Sequence, residues 1–434
     1  VLTAVAFAIP VMAQGAPDVV NTPATASRQA VSTTPLATDV VSVFNSGALR
    51  PDTINRSISA ARQAGAAVAF GRSASVGMIG LYRGAAPVQL PPAGFALPMG
   101  ATVLPPEFVG NVMGRNVAGF LASDAAIMGQ TSAGLRAAQA GDVMQLVAGW
   151  GGVVNIRIAA VLPDASIGGA ELLMSTAAAD RLGISDLSRA VMWNPSSRAA
   201  MDQALAANGL VSTSIRIRRS WDPPDPDDTL GLSRTKALLG EFAYRVNGDG
   251  SVTQDGAWQA ANLPGGRVLL NGSIPIRARC HNVVEPAIRA ALAEVAARGL
   301  GATINVDNTN SAGGCHNPRF NRLATSSSLG FLSRHSWAMA IDMNTVGSCQ
   351  GCAPPDFATR PGGCTTVEIF RKYGFAWGGN FLTPDGMHFE YVGERRDLLP
   401  YPSRWCQNTG SVALTTAEAG IGTFFATDGL IVEG

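Results

Sequence analysis

Lysine is almost missing from this chain. Only Lys236 and Lys372 occur, so arginine carries nearly all of the 32 basic charges, which 31 acidic residues offset to a formal net charge of +1. A balance so close to zero excludes a nucleic-acid partner held by charge. Aromatic residues make up only 6%. No run of about 18 apolar residues appears, which excludes a membrane-spanning helix of the ordinary kind. No histidine and no cysteine occurs before Cys280, so the first half of the chain lacks the usual side chains for nucleophilic or metal chemistry.

The 434 residues are 47% apolar, and mean hydropathy is +0.17, owed largely to Ala and Gly. That length implies two or three domains, each able to bury a core. Residues 1–13 are short and apolar and end in Val11-Met12-Ala13, as in a secretory signal and its cleavage site. With no basic segment before them, the same residues also read as a buried helix. Residues 14–56, rich in Ala, Thr, Ser, Pro and Val, read as a stalk or linker, because such a composition buries too little apolar area to offset ordering entropy.

From 57 to 220 the texture suggests an N-terminal α+β domain of unassigned role. Strands are expected at Val153–Ile158 and Ser214–Ile217, and helices at Ser175–Leu182 and Ser197–Asn208, the latter with a Ser cap and an Asn-Gly stop. Residues 221–229, with three prolines and four mutually repelling aspartates, read as a linker. A second domain then spans 230–410, with helices expected at Glu285–Arg298 and from Thr365 or Thr366 to Tyr373. Residues 411–434 form a tail.

All six cysteines (Cys280, Cys315, Cys349, Cys352, Cys364 and Cys406) lie in this second domain. An even number clustered there reads as disulfides of an exported protein, with Cys280 and Cys315 the first pairing expected. A thiolate zinc site at Cys349 and Cys352 is the competing reading, and it lacks a second pair at similar spacing.

The chemistry also concentrates here. Ser333-Arg334-His335-Ser336-Trp337-Ala338-Met339-Ala340-Ile341-Asp342 ends in the alternation of a strand. Asp385-Gly386-Met387-His388-Phe389-Glu390-Tyr391 starts at a turn and enters a second strand, with His388 and Glu390 on one face. Two imidazoles and one carboxylate on neighbouring strands suit a zinc ion whose fourth position stays open for water, as in catalytic sites. Asp385 then stands where a base would.

These segments resemble the VanY-type D-alanyl-D-alanine carboxypeptidases and the related L-alanyl-D-glutamate endopeptidases. Their signature reads S-x-H-x-x-G-x-A-x-D, then G-F-x-W-G-G, then D-x-x-H-F-E. Here it is carried by Ser333, His335, Ala340 and Asp342, by Gly374-Phe375-Ala376-Trp377-Gly378-Gly379, and by Asp385, His388, Phe389 and Glu390.

The resemblance implies a small α+β zinc peptidase domain of the hedgehog-like fold with a central antiparallel sheet. One Zn2+ per chain would be bound by His335, Asp342 and His388, with Asp385 as catalytic base. The segment around Gly313-Gly314-Cys315-His316-Asn317-Pro318-Arg319 implies Arg319, or failing it Arg322, as the cation that steadies substrate. Ser333 and Trp377 would bind substrate, and Glu390 would support a ligand from behind. The implied substrates are the stem peptides of peptidoglycan, cut next to D-alanine outside the cytoplasm. Hedgehog-type relatives also allow a zinc-containing wall-binding or protein-binding module without catalysis. Ala338 departs from the pattern by standing at the glycine position.

Overall fold

The computed structural model describes residues 39–121, 124–147, 152–311, 314–321, 330–346, 348–354 and 361–408. The expected signal segment, most of the expected stalk, the C-terminal tail and Arg322 lie outside them. The chain has the α+β character expected. Among the described residues no helix is long and apolar enough to cross a membrane.

The first half is organised around one large sheet. Its strands are β1 (Val40–Asn45), β2 (Ala67–Arg83), β3 (Ala86–Gln89), β4 (Leu97–Val103), β5 (Ala125–Gly129), β6 (Val143–Val147), β7 (Val153–Leu162), β8 (Leu172–Met174), β9 (Leu187–Trp193) and β10 (Ile215–Arg219). The path β2-β4-β8-β5-β7-β6 returns to β2 and closes a six-stranded barrel. Closure follows from the length of β2: residues 72–78 pair with β4, and residues 77–82 pair with β6. Its first residues pair with β9 instead, and β9 continues through β1 to β10 outside the barrel. Alternation along β7, exposed at Val153, Asn155 and Arg157 and buried at Val154, Ile156 and Ile158, is what a strand with one packed face requires.

Composition misplaced the N-terminal boundary. Residues 40–56, expected within a linker, form β1 and the start of the helix Pro51–Ala64, and all six residues of β1 are buried. Val41 and Val43 join Ala60, Ala61, Met201 and Leu205 in a core that two helices cover. The helix Arg198–Ala207 starts at its expected cap, the Ser197 hydroxyl accepting from Ala200 N, and the helix Thr176–Arg181 is capped in the same way by Ser175, whose hydroxyl accepts from Ala178 N.

The Asp-Pro segment 221–229 is also not a free spacer. Arginines offset the expected repulsion: Arg216 meets Asp225 and Asp228 at 2.9 and 3.0 Å, and Arg218 meets Asp228 at 2.7 Å. Asp227 is buried and takes a two-point contact from Arg371, 2.9 Å from Nε to Oδ1 and 2.5 Å from Nη2 to Oδ2.

The second half carries the hairpins β11 (Tyr244–Val246) with β12 (Val252–Gln254) and β13 (Val268–Leu269) with β14 (Arg277–Ala278). A three-stranded sheet follows, in the order β15 (Ala340–Asp342), β17 (His388–Tyr391), β16 (Phe375–Trp377), with both pairings antiparallel. The helices Glu285–Ala297 and Pro361–Lys372 belong to the same core: Ile288, Leu292, Val367 and Phe370 cluster with Ile341, Phe375 and Phe389. The second helix begins four residues before the expected Thr365. Thr366 is inside it, and its hydroxyl donates to Gly362 O at 3.1 Å instead of capping the end.

Candidate metal centre

Register places the first two ligands. Asp342 on β15 lies directly opposite His388 on β17, and the period of two puts Glu390 on the same face as His388. His335 corrects the expected strand. Residues Arg334–Trp337 form a single 3-10 turn, so His335 reaches the site from the loop ahead of β15. The Ser333 hydroxyl accepts from His335 N at 3.4 Å and caps that turn. Ala338 ends it with φ 52°, the left-handed backbone that explains why the signature has glycine there.

The ligand atoms of His335, Asp342 and His388 lie within 4.8 Å of one another. His335 Nε2 and His388 Nδ1 stand 3.2 and 3.3 Å from Asp342 Oδ1. The opposite ring nitrogens are committed elsewhere: His335 Nδ1 donates to Cys315 O at 3.0 Å, and His388 Nε2 donates to Glu390 Oε2 at 3.4 Å. Each ring is thereby turned with one nitrogen toward the shared point, as second contacts do for metal-binding histidines. Two imidazoles and one carboxylate are a donor set suited to zinc with an open position. Asp385 supplies a further mark of fit: it is buried, and its Oδ1 has no hydrogen-bond partner among the described residues.

The electrostatics of the group suit a cation. Burial acts to raise the Asp342 carboxyl, but the charges and hydrogen bonds of His335 and His388 hold it well below its usual range. Burial opposes charge on His388, yet its hydrogen bonds to Asp342 and Glu390 hold the ring well above the ordinary histidine value. A bound dication replaces that proton and inverts this logic. Asp385 is pushed up, first by burial and then by the charge of Asp342, while His388, His335 and Arg319 pull the other way. The charge of Arg319 thus acts on Asp385. Its backbone is fixed by Ser333 N, which donates to Arg319 O at 2.9 Å.

The G-F-x-W-G-G segment has a steric reason. A Cβ on Gly378 would stand 2.6 Å from Asp385 O and 3.0 Å from His388 Cβ, and one on Gly379 would enter the Trp377 ring at 2.2 Å. Only glycine lets the backbone pass this close to both Asp385 and His388. Trp377 itself is buried; its N donates to Asp227 Oδ1 at 3.0 Å and its Nε1 to Gly386 O at 2.9 Å. It lines a cavity of about 380 Å³ with Met343, Thr366 and Phe389. Phe389 alternates with His388, so this cavity opens on the face of β17 away from the ligands.

Cys280 and Cys315 are joined, as expected, and so are Cys349 and Cys352, which removes the thiolate-zinc reading. Cys364 and Cys406 remain as adjacent thiols. Two contributors were missed from sequence: the Cys315 carbonyl and Arg334. Arg334, between Ser333 and His335, carried a signal in its position; a backbone carbonyl carries none.

Residues 326–391 match a family model described as D-alanyl-D-alanine carboxypeptidase. The matched span holds all three candidate ligands and Asp385. It covers a small part of the chain and none of the barrel. No curated protein matches the chain.

Proposed function

We propose that the chain is an extracytoplasmic zinc peptidase that hydrolyses peptidoglycan stem peptides next to D-alanine. The observation that carries this reading is the convergence of His335, Asp342 and His388 within 4.8 Å beside a buried carboxylate, Asp385, with an unpartnered oxygen. The family match over the same residues supports the peptidase class. Disulfides in the same domain support an oxidising compartment.

When bound, zinc supplies a Lewis acid for the scissile carbonyl and lowers the pKa of water. Asp385 Oδ1 takes the proton of the attacking water and passes it to the leaving amine. Its raised pKa suits both acts, because a carboxylate that is too acidic holds a proton poorly. Arg319 offers its guanidinium to the substrate carboxylate or to the tetrahedral oxyanion. Glu390 and Cys315 O hold the two imidazoles in place throughout.

Incubating the purified, zinc-loaded protein with defined muropeptides and weighing the products tests the reading. Loss of one terminal D-alanine is expected. Internal cleavage would make it an endopeptidase, and a zinc-loaded protein that leaves every muropeptide intact would be a binding module.

A further inference from the structure

The helix Leu232–Leu239 lies between the barrel and the metal site and makes buried polar contacts with both. Toward the barrel it sends Lys236, which is fully buried. Its Nζ stands 2.7 Å from Glu171 Oε1 and 2.9 Å from Glu241 Oε1, and it donates to Pro98 O on β4. Glu171 is in turn fixed by Ser132 Oγ at 2.9 Å and Gly100 N at 2.8 Å. Arg136 completes the group by pairing with Glu241, so two cations face two carboxylates and the buried charge balances. One of the two lysines in the whole chain is therefore spent on locking this helix to the barrel.

Toward the metal site, the same helix and Leu230, two residues before it, receive Arg334. Its Nη1 donates to Thr235 Oγ1 at 3.1 Å and its Nη2 to Leu230 O at 2.5 Å. Its Nε stands 3.3 Å from Glu390 Oε1, and the other oxygen of Glu390 accepts from the ligand His388. Arg334 and Glu390 are both buried, so neither can exchange these partners for water. A guanidinium held at three points fixes the carboxylate in a way that a flexible ammonium would not.

We infer that Arg334 is a positioning residue for the metal site and that the barrel, through Lys236 and the helix Leu232–Leu239, is a working part of that site instead of an independent module. The inference rests on the metal-centre reading above and adds that zinc affinity is set partly by residues that touch no ligand. The series of contacts runs from Glu171 through Lys236, the helix with Thr235, Arg334 and Glu390 to His388. Contacts behind a metal-bound histidine commonly change affinity by about 10- to 100-fold.

The test measures zinc affinity of the full chain by competition with a chromophoric chelator, alongside kcat and KM on a muropeptide. Arg334→Met should weaken zinc by about 10- to 100-fold. Thr235→Ala should weaken it several-fold, and Thr235→Ser, which restores the hydroxyl, should recover it. Lys236→Met should shift affinity in the same direction, and less than additively when combined with Arg334→Met, since both act through one route. If Lys236→Met does not fold, the Thr235 pair still decides the matter. Folded variants that lose only thermal stability, at unchanged zinc affinity, would overturn the inference. A wild-type chain that binds no zinc would instead overturn the metal-centre reading.

Discussion

Glu390 Oε2 lies 3.4 Å from His388 Nε2, two residues along the same face of β17, while the other ring nitrogen of His388 faces Asp342. Strand geometry makes this contact, and the contact decides which nitrogen is left for metal. Glu390→Gln should therefore lower zinc affinity by about 10- to 100-fold while leaving the site able to fill at high zinc. Affinity unchanged in a chelator competition would mean that Glu390 does not orient the ring.

Asp385 and Asp342 separate chemistry from metal binding. Asp385→Asn keeps all three ligands, so it should retain zinc and lose turnover by roughly 10²- to 10⁴-fold. Asp342→Asn removes the charged ligand and should weaken zinc itself. Metal content and activity measured on the same preparations check the contrast, and the reverse pattern would exchange the two roles.

The Cys280–Cys315 disulfide fixes the segment whose carbonyl accepts from His335 Nδ1. Replacing both cysteines by serine should cost about 2–5 kcal/mol of stability in denaturant titration. It should also weaken zinc, because the carbonyl is then less well placed. Peptide mapping without reduction should recover the 280–315 pair; finding both as free thiols in protein from an oxidising compartment would refute the pairing.

Ala338 is fully buried at φ 52°. Ala338→Gly relieves the left-handed strain and removes one methyl from the core. These effects oppose each other, so stability should change by less than about 1 kcal/mol. Ala338→Val should cost at least about 2 kcal/mol, since a β-branched residue suits neither the backbone nor the space. Equal stability of the two variants in thermal unfolding would contradict the assignment of a left-handed turn.

His316 should titrate well below the ordinary histidine value. Burial lowers its pKa to about 4, and the charges of Arg279 and His335 add to the effect, while its Nε2 is bonded to Gln254 at 2.6 Å. A folded value below the unfolded one of about 6.5 means that the neutral ring stabilises the fold fully above pH 6.5. That contribution is lost as pH falls toward 4. Proton NMR of the ring should find this low value; a midpoint near 6.5 would contradict the half-buried, bonded environment.

The local chemistry of the site was readable because it depends on short spacings. Glu390 stands two positions after His388, His388 stands three after Asp385, and a strand or a tight turn converts such intervals into fixed geometry. The helix cap at Ser197 was readable for the same reason, since the hydroxyl bonds a backbone N–H three residues on. Residues 40–56 were misread because composition measures what a segment can bury by itself. β1 buries its side chains against β9, β10 and two helices from elsewhere in the chain.

The sequence by itself determined the candidate donor set, His335, Asp342 and His388 with Asp385 beside them, because those residues and intervals are written in continuous segments. Tertiary structure alone decided that His335 arrives on a 3-10 turn, that the Cys315 carbonyl turns its ring, and that the barrel reaches the site through Lys236 and Arg334. Each of these joins groups far apart along the chain. Their partners are selected by packing and by the need to satisfy every buried charge, and no local pattern of residues encodes that.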